Sequence, residues 1–153
     1  MNTAPVQLPQ IGWREYLAIP DLDIRMIKAK VDTGARTSAL HSSEVEVYES
    51  DEGIKRVRFQ AHPMHRDPGF SLACDLPLSS YRSVRNSGGK EEIRPFITLP
   101  VIIGEHLFET EISLANRKNM KFRMLLGRTA LKGRFVVDSG TSYLLSQRPK
   151  VLH

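Results

Sequence analysis

The sequence predicts an all-β domain, a closed barrel or sandwich, with one short helix near the C-terminus. Three observations carry this expectation. Segments rich in β-branched residues recur between turn signals. Several of them alternate apolar and polar residues with the two-residue period of a half-buried strand. Helical patterning is scarce outside Arg128 to Lys132. A chain of 153 residues suits one core, and 41% hydrophobic with 25% charged residues is the balance of a globular rather than a disordered chain.

Taken in order, Met1 to Gln10 (1–10) reads as a flexible arm, because Pro5 and Pro9 stand in it without the basic start or apolar run of a signal peptide. The domain then occupies 11–146 and a tail 147–153. Gly12 to Ile19, Ile24 to Val31, Val45 to Tyr48, Ile54 to Ala61, Glu92 to Ile103 and His106 to Leu114 are the strand candidates. In the fourth, Val57, Phe59 and Ala61 share one face, and Arg56, Arg58 and Gln60 the other. Asp51-Glu52-Gly53, and Glu105-His106 after Gly104, read as hairpin turns. His62 to Gly89 reads as loop, with Pro63, Pro68, Gly69, Pro77 and Asn86-Ser87-Gly88-Gly89 breaking any pattern. Arg128 to Lys132, between Gly127 and Gly133, is the short helix.

Ile97 to Ile103 is interrupted by Pro100, and no apolar run approaches the ~20 residues of a membrane helix. A soluble protein without membrane contact is expected. Cys74 is the only cysteine, so no internal disulfide can form, and a reducing cytoplasm is the simplest location. The net charge of +5 favours anionic partners, the alternative being a solvated basic surface. With 7% aromatic residues and no stripe interleaving them with basic ones, nucleic acid is not the expected anion.

The chemistry centres on Lys30-Val31-Asp32-Thr33-Gly34-Ala35. Asp-Thr-Gly can hold a carboxylate at the tip of a rigid turn. Gly34 takes backbone angles closed to other residues, Thr33 can hydrogen-bond to a partner loop, and Ala35 leaves room for substrate. Two such carboxylates facing one another share a proton. The ionised one deprotonates a water and the protonated one donates to the scissile carbonyl. The tripeptide also occurs in ordinary turns. Its weight comes from Met124-Leu125-Leu126-Gly127-Arg128, where Leu125, Leu126 and Gly127 can pack beneath the catalytic turn.

With this pair of elements the chain resembles the retropepsin family, which carries Asp-Thr-Gly-Ala early and an apolar-apolar-Gly-Arg segment before a late helix. Gly12 to Leu145 resembles more closely a bacterial family long described as ATP-dependent zinc proteases and now grouped with retropepsin-like enzymes. The likeness rests on Ala29 to His41, on Ser87-Gly88 with Glu92 and Arg94, and on Met124 to Leu131. It implies a retropepsin-like (acid protease) closed barrel, an aspartic endopeptidase without a cofactor, and an association with ATP-grasp ligases that add glutamate tails. The expected substrate is therefore an acidic peptide or glutamate-modified protein, cleaved at a peptide or isopeptide bond. Two features depart from the pattern. The interval from Gly34 to Gly127 is longer than in viral retropepsins, with Ser83 to Arg94 as the candidate flap. Asn116-Arg117-Lys118-Asn119 replaces an acidic segment expected in relatives.

Val136-Val137-Asp138-Ser139-Gly140 resembles a second catalytic turn, but too few residues follow it to supply its own apolar-apolar-Gly support. Asp138 thus reads as the end of a terminal strand, and the second aspartate as Asp32 of another copy in a homodimer. Arg36, His41, Gly88, Arg94 and Arg128 are candidate substrate contacts. For His41 the alternative is a structural histidine, and for Arg128 a tie from the helix to a carboxylate in the core or dimer interface. A metallopeptidase would need zinc ligands. The chain has no His-Glu-x-x-His, and His62, His65 and Cys74 match no strong spacing, so no metal is expected. A nucleophilic Cys74 would need one of those histidines as base. A non-catalytic acidic-peptide-binding module of the same fold is the remaining alternative.

Overall fold

The structure is a computed structural model that describes residues 7–64, 66–67, 69–86 and 88–146. Residues 1–6 of the arm, His65, Pro68, Ser87 and the tail 147–153 lie outside the described residues. Among the described residues, eleven strands, a 3-10 turn and one α-helical turn follow in order: β1 (Gln10–Gly12), β2 (Arg14–Ile19), the 3-10 turn (Pro20–Leu22), β3 (Ile24–Val31), β4 (Ser38–Glu49), β5 (Lys55–Ala61), β6 (Leu72–Pro77), β7 (Ser80–Arg85), β8 (Glu91–Ile103), β9 (His106–Ala115), β10 (Met124–Leu126), α1 (Arg128–Leu131) and β11 (Val136–Asp138).

Nine strands form one sheet in the order β10-β3-β2-β8-β9-β4-β5-β6, with β7 on β8. β10 also pairs with β4, so β10, β3, β2, β8, β9 and β4 close into a ring. β1 and β11 make a separate parallel pair. The ring encloses the core: Leu17 and Ile19 of β2, Ile24, Ile27 and Ala29 of β3, Leu99, Val101 and Ile103 of β8, Ile112 and Leu114 of β9, and Met124 and Leu126 of β10 are all buried. The fold is all-β and retropepsin-like with one short helix, as the sequence predicts.

Local chemistry explains most boundaries. β5 buries Val57, Phe59 and Ala61 on one face, as its alternation requires. β3 and β9 coincide almost residue for residue with their sequence periods. The β8–β9 hairpin turns on Gly104 and Glu105, and His106 already pairs with Ile103. Gly104 has φ +59, a left-handed angle that glycine adopts without a Cβ clash.

Three segments differ from expectation. The predicted strand from Gly12 to Ile19 is broken at Trp13, whose N–H donates to the Thr141 carbonyl at 2.9 Å instead of continuing a ladder. β4 begins seven residues before Val45. Its first half contains Ser38, His41 and Ser42, which hydrophobic patterning discards, yet all three are buried. The segment from His62 to Gly89 is not loop throughout, because it contains β6 and β7. β6 is an edge strand, where Pro77 costs no ladder bond, and only Leu72, Cys74 and Leu76 face the core. β7 is largely exposed and pairs only with β8, so it has no apolar face to read.

A buried carboxylate secures the end of the described chain. Glu15 of β2 is fully buried and accepts hydrogen bonds from Gly12 N (2.7 Å), Leu144 N (2.9 Å), Leu145 N (3.2 Å), Ser146 N (3.0 Å) and Ser146 Oγ (2.7 Å). Such a group satisfies several backbone donors at once, and its loss strands them away from water. Glu15→Ala is expected to lower folding stability by about 3 kcal/mol. Urea unfolding checks this, and a change under 1 kcal/mol would show that the 144–146 segment is not held this way.

Candidate active site

The Asp32 turn lies where β3 leaves the ring and β4 re-enters it. β10 runs between them, parallel to β3 and antiparallel to β4. Asp32 N donates to the Leu126 carbonyl at 2.9 Å, so the aspartate is hung from the supporting strand by its own backbone. Its Oδ1 accepts from Gly34 N at 2.8 Å, which orients the carboxylate within the turn. Asp32 is half-buried, whereas Thr33 and Gly34 are exposed at the tip.

Helix α1 closes the turn from the other side. Arg128 N and Thr129 N donate to the carbonyls of Ala35 (2.8 Å) and Arg36 (2.9 Å), and Arg128 Nη1 donates to the Thr33 carbonyl at 2.9 Å. Arg128 therefore ties the helix to the Asp32 turn through a carbonyl rather than a carboxylate, while also lining the cleft. Gly127 stands where this clamp is tightest. A Cβ there would lie 2.5 Å from the Thr37 carbonyl oxygen and 3.0 Å from that of Ala35, both backbone atoms that cannot swing away. Gly127 N donates to the buried Ser38 Oγ at 3.1 Å, and Ser113 Oγ donates to the Ser38 carbonyl at 3.0 Å. Ser38 is a supporting residue that the sequence reading passed over, since a lone serine in a strand carries no signal.

Above Asp32 is an open cleft of about 1290 Å³. One wall is the β7–β8 hairpin, whose turn at 86–90 is stabilised by Asn86 Oδ1 accepting from Gly88 N (3.0 Å) and Lys90 N (3.1 Å). The flap candidate Ser83 to Arg94 lies in this hairpin, and Gly88 lines the cleft. Among the described lining residues, nine are lysine or arginine and two, Asp32 and Glu92, are acidic, which makes the cleft strongly cationic. Arg36 is exposed there, and Arg94 contacts Glu92 and reaches toward Ser113 Oγ at 3.5 Å. Arg82 is neutralised by a two-pronged ion pair with Glu111 at 2.8 and 3.1 Å. The sequence reading missed Lys30, Arg82, Arg85, Lys90 and Lys121 as cleft residues; Arg85 and Lys90 flank Gly88-Gly89 and were the most accessible to it.

Arg117, from the segment that departs from the family pattern, also lines the cleft. Burial and the nearby Arg94 push its guanidinium below its ordinary value, and Asp32 pulls it back up. Its Nε donates to the Phe122 carbonyl at 3.0 Å and its N–H to His41 Nδ1 at 2.8 Å. His41 itself lines a neighbouring cavity rather than the Asp32 cleft.

The remaining sequence candidates are placed elsewhere. Asp138 ends β11, with Oδ1 accepting from Gly140 N (3.0 Å) and Oδ2 from Thr141 Oγ1 (2.9 Å), and it does not line the cleft. Burial pushes the Cys74 thiol up to about 11, which disfavours the thiolate a nucleophile requires. His62 bonds Ser43 Oγ through Nε2 at 2.6 Å. No cluster of three metal-ligating side chains occurs among the described residues, and His65 lies outside them.

A closed ring of strands carrying an Asp-Thr-Gly turn, threaded by an apolar-apolar-Gly strand and capped by a short helix, is the architecture of a retropepsin-like fold. A family model described as retropepsin-like aspartic endopeptidase RimB matches residues 10–148, and the chain belongs to this RimB-like family. It is 36% identical over 140 residues to a "Probable alpha-L-glutamate ligase" of Desulfotalea psychrophila, covering 92% of this chain and 30% of that protein. A protein of the same name from Shewanella halifaxensis is 37% identical over 141 residues, 92% of this chain and 31% of that one. The chain thus spans about a third of the length of these relatives. A crystal structure of a Legionella pneumophila protein of unknown function superposes with a TM-score of 0.73 at 21% identity, over 91% of this chain and 99% of that one, and shares its fold.

Two outcomes test this geometry. Gly127→Ala is expected to destabilise the fold by roughly 2–3 kcal/mol, measured by chemical denaturation, because the new methyl meets backbone on two sides. An effect within 0.5 kcal/mol would mean that the turn and helix are not clamped together. The second concerns His41, whose imidazole is driven from its ordinary 6.5 to about 4 by burial, then by Arg123 and His62. A folded-state pKa below the unfolded value means that the unfolded chain takes up the proton first. The contribution is therefore full above pH 6.5 and is lost as pH falls towards 4, about 3 kcal/mol in all. His41→Phe is expected to flatten this part of the stability-versus-pH curve.

Proposed function

We propose that the protein is an aspartic-type endopeptidase in which Asp32 from two copies activates a water for hydrolysis of a peptide or isopeptide bond. The observation that supports it most is the single, half-buried Asp32 held by Leu126 from below and by Arg128 and Thr129 through the turn. One chain supplies one carboxylate, and the chemistry needs two that share a proton, so an isologous homodimer completes the pair. The ionised member takes a proton from the water as it attacks. The other donates to the carbonyl oxygen, and the pair titrates as a unit.

The substrate we infer is acidic. Nine cationic side chains around a cleft that offers two carboxylates concentrate anionic segments and orient them by charge-assisted hydrogen bonds. Arg36, Arg94 and Arg128 are the proposed contacts, with Gly88 allowing the hairpin turn to approach the chain being cut. The glutamate-ligase names of the relatives agree with a glutamate-rich substrate and with a functional link to an ATP-grasp ligase acting on the same tails. Neither a metal nor a cofactor enters this scheme, and a cytoplasmic setting suits it.

A glutamate-rich peptide and its Asp32→Asn comparison test the proposal. Hydrolysis is expected to fall by about a thousandfold in Asp32→Asn while the circular dichroism spectrum and unfolding midpoint persist. Wild-type cleavage is expected to survive a chelator, to weaken with rising salt, and to track the dimer fraction in sedimentation. Undiminished cleavage by Asp32→Asn, or full activity in a strict monomer, overturns the two-aspartate mechanism. Retained peptide binding without cleavage in the wild-type dimer would instead identify a binding module.

A further inference from the structure

A second cavity, about 570 Å³, shares only Asn116 with the Asp32 cleft. Arg123 is the unusual residue in its lining. Its side chain is 94% buried, its Nε has no hydrogen-bond partner, and none of the ion pairs found among the described residues includes it. Guanidinium groups taken out of water are ordinarily paired and fully hydrogen-bonded, because an uncompensated buried charge is strongly unfavourable. Here the pairing is missing at a point where the protein leaves space.

The rest of the lining has the chemistry of an anion's partners. Lys118 contributes a second cation, and Ser43 and His62 form a hydrogen-bonded pair at 2.6 Å that can donate outward. His41 stacks near His62, with ring centroids 5.1 Å apart. The one lining carboxylate, Glu44, is exposed and forms no ion pair with Arg123. Burial first, and then Arg123 and His62, push the His41 imidazole below its ordinary value. Position matters too, since His41 Nδ1 accepts from the N–H of Arg117, whose side chain lines the Asp32 cleft.

We propose that this cavity binds a small oxyanion, a carboxylate or phosphate group, with the Arg123 guanidinium as principal partner and Lys118 and the Ser43–His62 pair completing the site. Such an occupant supplies the counter-charge that the fold leaves out. Because the site is distinct from the Asp32 cleft, it stands or falls independently of the peptidase reading, and it can be tested in an inactive protein.

The full-length Asp32→Asn chain is titrated separately with inorganic phosphate and with L-glutamate, at ionic strength held constant with chloride. Thermal unfolding and the ring resonances of His62 are followed. A ligand that binds only the folded state raises the unfolding midpoint by a few degrees, saturably, and the His62 signals move with the same dissociation constant. A response to phosphate alone or to glutamate alone assigns the chemistry, and a response to both assigns a general oxyanion site. Arg123→Met is expected to abolish the response and, without anion, to unfold no lower than its parent, since it exchanges an unpaired buried charge for an apolar chain of similar length. Should that variant fail to fold, Lys118→Ala and Ser43→Ala carry the test, each weakening binding by about fivefold. No saturable response to either anion overturns the proposal. So does binding that Lys118→Ala and Ser43→Ala leave unchanged, or that Arg36→Ala with Arg94→Ala removes.

Discussion

The constraint on which the site depends is the passage of β10 between β3 and β4. A strand that pairs with both sides of the same turn can do so only if the backbone leaving it comes almost into contact with the returning chain. Gly127 is the residue at that contact, with carbonyl oxygens of Thr37 and Ala35 where a side chain would begin. From this close approach follow the Asp32 amide bond to Leu126, the two helix amides bonded to Ala35 and Arg36, and the Arg128 bond to Thr33. The aspartate is thus positioned by main-chain hydrogen bonds on both sides, a more rigid arrangement than side-chain packing alone provides. The buried Ser38 serves the same clamp, linking Gly127 to β9 through Ser113.

Charge is distributed with equal economy. The chain's excess of basic residues is concentrated around one cleft, where only Arg82 and Arg94 have carboxylate partners among the ion pairs of the described residues. Elsewhere the arrangement differs, for the buried Glu15 carboxyl is satisfied by uncharged donors, four of them backbone amides. That carboxylate joins residues 144–146 to β2 and keeps the end of the described chain against the ring. Asp138, whose Asp-Ser-Gly turn is similar to the Asp-Thr-Gly of Asp32, shows how much context decides. Both its oxygens are occupied within its own turn, and among the described residues its strand pairs with β1 alone.

Periodicity was sufficient where a strand has one buried and one solvated face, as in β3, β5 and β9. It failed in the first half of β4, because Ser38, His41 and Ser42 are buried as hydrogen-bonded polar side chains, Ser38 accepting from Gly127 N, His41 from Arg117 N, and Ser42 donating to the Leu40 carbonyl, rather than by hydrophobicity. It failed again in β6, whose short Leu72, Cys74, Leu76 alternation stands among proline and glycine turn signals and ends at Pro77, and in β7, which is largely exposed. The site was legible in its two motifs, Asp32 to Ala35 and Leu125 to Arg128, because each needs particular residue types at fixed spacing. The cationic wall was mostly illegible. Lys30, Arg82 and Lys121 are ordinary surface residues until the ring brings three distant segments around the same space.

By itself, then, the sequence determined an all-β domain, the Asp-Thr-Gly turn and the apolar-Gly element that packs against it. These depend on local conformation and short-range periodicity. Only the tertiary structure decided that Arg128 holds the Thr33 carbonyl, that His41 opens onto a separate cavity, that Arg117 lines the same cleft as Asp32, and that Arg123 is buried outside every ion pair of the described residues. Such relationships arise between residues tens of positions apart. They are set by strand register and ring closure, which no local pattern encodes.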